Sequence, residues 1–194
     1  MSLQRVCVYC ASSSQCDASY FDETKRLGEL LARNGYTIVY GGGGAGLMGA
    51  LADAALAASG EVIGVLPHFM KEVEWGHNGL TTMRLVDDMH ERKRIMIESS
   101  QAIIALPGGC GTLEELLEAI TWKRLGLHTN PIIIVNTRGF YDPLITQLER
   151  CIDERFMLPK HRNMWTVVAS VEEALPALHN AAVWSKEAIR EARL

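Results

Sequence analysis

The chain has 194 residues, 48% of them hydrophobic and 22% charged, a composition able to fill one core of ordinary size. Against 23 acids stand 19 lysines and arginines, and the resulting charge of −4 offers no basic surface for a nucleic-acid partner. No apolar run approaches the roughly 20 residues that cross a bilayer, so no membrane partner is expected.

In chain order, strand-like and helix-like stretches alternate. A strand over Arg5–Cys10 precedes a helix over Phe21–Asn34, then a strand over Tyr36–Tyr40 and a helix over Leu47–Ala58. Strands over Glu61–Leu66 and Met83–Val86 lead to a helix over Asp87–Ser99. The pattern continues with strand Ala102–Leu106, helix Leu113–Leu125, strand Ile132–Asn136, helix Pro143–Arg155, strand Thr166–Ala169 and helix Val171–His179. Unbroken β-branched runs such as Ile132–Val135 suit strands covered on both faces. The expected fold is therefore α/β, a doubly wound, Rossmann-like, mostly parallel sheet flanked by helices, in a single domain over residues 1–194. The first residues run directly into a strand without a basic-then-apolar leader, which predicts a cytoplasmic protein.

Five cysteines, an odd and scattered set, do not read as a disulfide framework. Cys7 and Cys10 form a C-x-x-C, but strand alternation sends residues three apart to opposite faces. With no second pair at zinc spacing, reduced thiols and no metal site are expected.

Ligands of such sheets bind beyond the carboxyl ends of the strands, so the strand-to-helix turns carry the functional information. The run Gly41-Gly-Gly-Gly-Ala-Gly-Leu-Met-Gly49 follows the second strand. Its glycines let backbone approach a ligand, and the next helix offers free N–H groups and the positive end of its dipole to a phosphate. Gly44-x-Gly46-x-x-Gly49 matches a dinucleotide fingerprint, but no ribose-binding acid stands at the expected distance. The second run, Pro107-Gly-Gly-Cys-Gly-Thr-Leu-Glu-Glu115, lacks a Walker ending yet can form an anion-binding nest. Thr112-x-x-Glu115 also reads as a capping box, which leaves Glu115 open to a structural role. Helical periodicity puts Leu113, Leu116, Leu117 and Ile120 on the packed stripe and turns Glu115 and Glu118 away from it.

The helix over Asp87–Ser99 places two cations where core belongs. With Met89 at zero on a helical wheel, Arg92 falls at about 300° and Lys93 at about 40°, inside the apolar arc, while Glu91, Arg94 and Glu98 face outward. Cations buried there call for an anionic partner, a substrate phosphate, a carboxylate such as Glu115 or both, unless their long side chains snorkel past the apolar stripe to water. The methionines read as core filler, and Trp75, Trp122 and Met83 equally as pocket linings or as routine core or surface residues.

Pro107–Glu115 resembles the P-G-G-x-G-T-x-x-E signature of the LOG ("lonely guy") family. Met89-His-Glu-Arg-Lys93 resembles that family's arginine-lysine element, and Gly41–Gly49 its first glycine loop. Cys10-Ala-Ser-Ser-Ser14 is similar to its Cys-Gly-Ser-Ser element, with Ala11 in place of the glycine. The resemblance runs from about Val6 to about Ile152. It implies hydrolysis of the N-glycosidic bond of N6-modified adenosine 5'-monophosphate, or of AMP itself, without metal or organic cofactor, by a homodimer of the same doubly wound fold. Carried over by position, it implies Arg92 and Glu115 as the catalytic pair. It further implies substrate contacts at Lys93, Gly108, Gly109, Cys110, Gly111 and Thr112, at Leu113, Glu114 and Thr121, and in the loop at Glu74. Gly42, Gly43 and Gly44 of the first glycine turn and Ser13 of the opening turn complete the implied site. A broad AMP nucleosidase and a non-catalytic carrier of the same fold remain open as alternatives. A lysine decarboxylase would need a pyridoxal phosphate lysine with its electronic partners, which Lys93 beside Arg92 does not supply.

Overall fold

The computed structural model describes residues 5–73 and 75–191. Seven parallel strands form one sheet in the order β4-β3-β2-β1-β5-β6-β7. They are β1 (Arg5–Tyr9), β2 (Thr37–Tyr40), β3 (Val62–Pro67), β4 (Thr82–Val86), β5 (Ala102–Ala105), β6 (Ile132–Val135) and β7 (Thr166–Val168). Each matches an expected strand to within a residue or so at its ends, where assignment is least sharp.

Alternation along the central strands divides the core into two layers. Val6 and Val8 of β1, Ile38 and Tyr40 of β2 and Ile104 of β5 face one side, against α1 (Ala18–Arg33), α2 (Gly46–Ala57) and α7 (Ala174–Asn180). Cys7, Tyr9, Val39 and Ile103 face the other, against α4 (Met89–Glu98), α5 (Cys110–Arg124) and α6 (Asp142–Asp153). Cys7 and Cys10 accordingly belong to different layers, both buried and free. The short α3 (His68–Glu72) and the 3-10 turns Pro159–Met164 and Lys186–Glu191 carry no long apolar period and are missing from the sequence reading.

The helix α5 corrects that reading. It begins at Cys110, three residues ahead of expectation, with Gly109 as its N-cap and no side-chain capping bond. Thr112 is thus the third helical residue, and the capping box does not form. The buried face carries Thr112, Glu115, Leu116, Ala119, Ile120 and Lys123, whereas Leu117 is 39% exposed. Glu115 faces inward, opposite to the expected orientation.

Candidate active site

Strand order reverses at β1, which pairs with β2 on one side and β5 on the other. Beyond the carboxyl ends of these strands lies a cleft of about 730 Å³, within the usual range for small-molecule sites. Cys10–Ser12 after β1, Gly41, Gly43, Gly44 and Ala45 after β2, and Gly109–Thr112 after β5 form its polar walls. Arg92 and Glu115 reach it from α4 and α5.

The start of α4 fixes Arg92. Asp88 caps the helix by accepting from the Glu91 N–H at 2.8 Å, and the Glu91 carboxylate accepts from the Asp87 N–H at 3.0 Å. Arg92, only 5% exposed, donates from Nε to the Val65 carbonyl at 3.1 Å and from Nη2 to the Gly41 carbonyl at 3.0 Å. Its Nη1 stands 3.7 Å from Glu115 Oε1. A Cβ at position 41 would sit 1.9 Å from Arg92 Nη2, so only glycine admits the guanidinium. Gly46, at φ +61°, likewise lets the first turn touch the Ser12 backbone, where a Cβ would meet atoms at 2.4 Å. The Met48 N–H donates to the Ala11 carbonyl at 3.1 Å, tying α2 to the turn after β1.

Glu115 is also 5% exposed. Burial pushes its pKa up to about 7, with the Arg92 charge opposing the rise. A carboxyl group poised near neutrality beside a fixed cation, in a cleft walled by glycine amides, suits acid-base or charge-stabilising chemistry on an anionic ligand. The N-caps of α2 and α5, Ala45 and Gly109, make no side-chain capping hydrogen bond, which leaves backbone donors of these helix starts, other than the Met48 N–H, available to a phosphate.

Of the residues expected from sequence, the structure gathers Arg92, Glu115, Gly43, Gly44, Gly109, Cys110, Gly111 and Thr112 around the cleft. Gly42, Gly108 and Ser13 lie in the same turns but outside the lining. Lys93 is buried among carboxylates, paired with Glu114 and with Glu118 at 3.1 Å. Leu113, Glu114 and Thr121 border an open depression on the outer face of α5, shared with Cys110, Leu117 and Glu118. Glu74 lies outside the described residues. Trp75 lines the cleft, Trp122 a depression at the opposite end of the sheet with His128, and Met83 packs behind Gly42.

The sequence reading misses Met48, Met70 and Met89 as cleft residues because helical spacing cannot separate a methionine facing core from one facing a crevice. Among the described residues, no group of three or more His, Cys, Asp or Glu could hold a metal ion.

A family model described as "Possible lysine decarboxylase" matches residues 48–178. A cytokinin riboside 5'-monophosphate phosphoribohydrolase from Rhodococcoides fascians is 40% identical over 176 residues, covering 90% of this chain and 89% of the relative. One from Oryza sativa is 39% identical over 191 residues, covering 95% and 79%. A third, from Arabidopsis thaliana, is 40% identical over 178 residues, covering 91% and 83%. Among solved structures, the molybdenum cofactor carrier protein from Chlamydomonas reinhardtii superposes with TM-score 0.71 at 21% identity, covering 92% of this chain and 98% of that one. A molybdenum cofactor binding protein from Rippkaea orientalis gives 0.70 at 23%, covering 92% and 97%. At such identities the structural likeness speaks for the fold alone.

Proposed function

Because the chain belongs to the LOG family of cytokinin riboside 5'-monophosphate phosphoribohydrolases, we propose that it hydrolyses the N-glycosidic bond of N6-modified AMP, releasing the free base and ribose 5-phosphate. The observation that carries this reading is the buried Arg92–Glu115 pair, set between two glycine turns at the reversal of strand order.

The 5'-phosphate is held by backbone amides of the glycine turns, which fixes the ribose by a group remote from the reacting bond. As the C1'–N9 bond breaks, positive charge builds on the sugar ring. Glu115, in its ionised form, steadies that charge and takes a proton from the attacking water as the hydroxyl bonds to C1'. That proton is passed to the departing base, which leaves as neutral purine, and Glu115 is ionised again. Carboxylates serve glycosidases in a comparable way. Arg92, anchored by two carbonyls, keeps Glu115 oriented and offers Nη1 to the substrate.

A lysine decarboxylase does not suit this cleft. Among the described residues no lysine lines it, and Lys93 is engaged by Glu114 and Glu118. A pyridoxal Schiff base would need an accessible lysine there. The carrier reading rests on fold likeness alone, whereas a carboxyl raised to about 7 beside an arginine supports catalysis.

The chain works as one nucleotide-binding unit in the cytoplasm, a reading supported by its free cysteines. It pairs as a homodimer, the state that the family resemblance implies. The direct test is to incubate the protein with AMP, N6-isopentenyl-AMP and other monophosphates and to chromatograph for free base. Release of adenine or isopentenyladenine is expected; no base from any nucleotide overturns the reading.

A further inference from the structure

The cleft has two kinds of lining. Glycine backbone, Thr112, Arg92 and Glu115 supply the polar part. The apolar part comes from Met48, Leu66, Met70, Trp75 and Met89; Met48 and Met89 lie beside the glycine turn and Arg92, and Leu66 and Met70 adjoin the segment Trp75–Gly76. Among these side chains the indole N–H is the one hydrogen-bonding group of the usual strength. A bare exocyclic amine placed there would lose water and gain little in return. An alkyl group placed there would be covered by thioether and aromatic surface.

Trp75 is the most exposed member of this wall, at 62%. Its backbone is nevertheless firmly held. The Trp75 carbonyl accepts from the Gly44 N–H at 3.0 Å, and its N–H donates to the Met70 carbonyl at 3.2 Å. Gly76 bridges Gly43 in antiparallel fashion, and the His77 N–H donates to the Gly42 carbonyl at 2.9 Å. The His77 ring closes the strap by pairing with Asp53 at 3.0 Å. The strap that carries the indole is therefore stitched to the glycine turn assigned above to the phosphate. A large apolar ring, held out on paired backbone in the wall of a cleft, is available to cover a ligand lying against it.

Resting on the reading above, we propose that Trp75 is a specificity-determining residue: with Met70 it forms the wall that covers an apolar substituent on the exocyclic amine of the purine, and so favours N6-alkylated AMP over AMP. The base end is selected by surface coverage and the phosphate end by backbone amides. One continuous strap couples the two.

The experiment measures kcat/KM for N6-isopentenyl-AMP and for AMP on the wild type, Trp75→Ala and Trp75→Phe. Trp75→Ala is expected to lower the isopentenyl-to-AMP ratio about tenfold or more, mainly through KM, as removal of a hydrophobic pocket wall does. Trp75→Phe is expected to restore much of that ratio. A ratio unchanged or raised in Trp75→Ala, including an equal loss for both substrates, overturns the proposal. Calorimetric titration of Glu115→Gln with the same two nucleotides separates this failure from failure of the hydrolysis reading. Tighter binding of the isopentenyl nucleotide that is lost with Trp75→Ala upholds the wall even if no base is released. Equal affinity for the two nucleotides overturns it.

Discussion

At the scale of single residues, Glu115 places a functional requirement in conflict with folding. An ordinary glutamate ionises near 4.5, whereas burial lifts this one to about 7. Below the lower value both folded and unfolded chains hold the proton, and the difference has no effect. As pH rises from there to about 7, the unfolded chain loses the proton first, so the folded state is progressively penalised, by roughly 3 kcal/mol once above 7. Glu115→Gln removes that penalty and leaves Arg92 its bonds to Val65 and Gly41. The variant should therefore melt no lower than wild type at pH 8 while losing nearly all turnover, and the gain should vanish towards pH 4. A clear drop in melting temperature with turnover retained would mark the carboxylate as structural. The same titration sets the rate profile, because the ionised form is the working one. Wild-type kcat/KM should fall as pH drops through about 7, above the second ionisation of a substrate phosphate near 6. A profile flat from pH 8 to 6.5 would remove Glu115 from that role. Arg92 is legible in the sequence because a cation inside an apolar arc breaks the helical pattern. Glu115 is less so: Thr112-x-x-Glu115 imitates a cap, and only the start of α5 at Cys110 shows that the acid faces inward.

At the scale of elements, the glycine turns position side chains as much as they receive ligand. Gly41 is the clearest case, since any Cβ there would overlap the guanidinium of Arg92. Gly41→Ala should displace Arg92 from its two carbonyls and lower kcat/KM at least about 100-fold, the loss that small misplacements in an active site produce. Far-ultraviolet circular dichroism should stay near wild type, since the helices and strands on either side are untouched. Activity within a few-fold of wild type would show that the guanidinium is free to work elsewhere. Gly46 carries a different constraint, a left-handed backbone pressed on Ser12, so Gly46→Ala should destabilise the fold by more than about 1 kcal/mol in urea. The glycine runs announce that something close must happen there, but not what. The partner of Gly41 comes from α4, 51 residues away, and no local pattern records that meeting.

At the scale of the whole molecule, the seven strands are legible because burial on both faces of a parallel sheet leaves unbroken apolar runs such as Ile132–Val135. Their order is not legible, since the crossover that places β5 beside β1 depends on which helix covers which face. That crossover is what makes the cleft: turns after β1, β2 and β5, together with α4, close on one space. A ligand there touches segments from both halves of the sheet and should stabilise the fold as a unit. Ribose 5-phosphate tests this without turnover, because it has no base to lose. At about 100 times its dissociation constant, binding to the folded state alone adds roughly 2.7 kcal/mol. For a chain of this length each kcal/mol moves Tm by about 2–4 °C, so a rise of roughly 5–10 °C is expected by differential scanning calorimetry. Adenine at equal concentration, lacking the phosphate, should raise Tm far less. If ribose 5-phosphate gives no shift at saturating millimolar concentration, the glycine turns do not grip the phosphate, and the anchor for cleavage must lie elsewhere on the nucleotide.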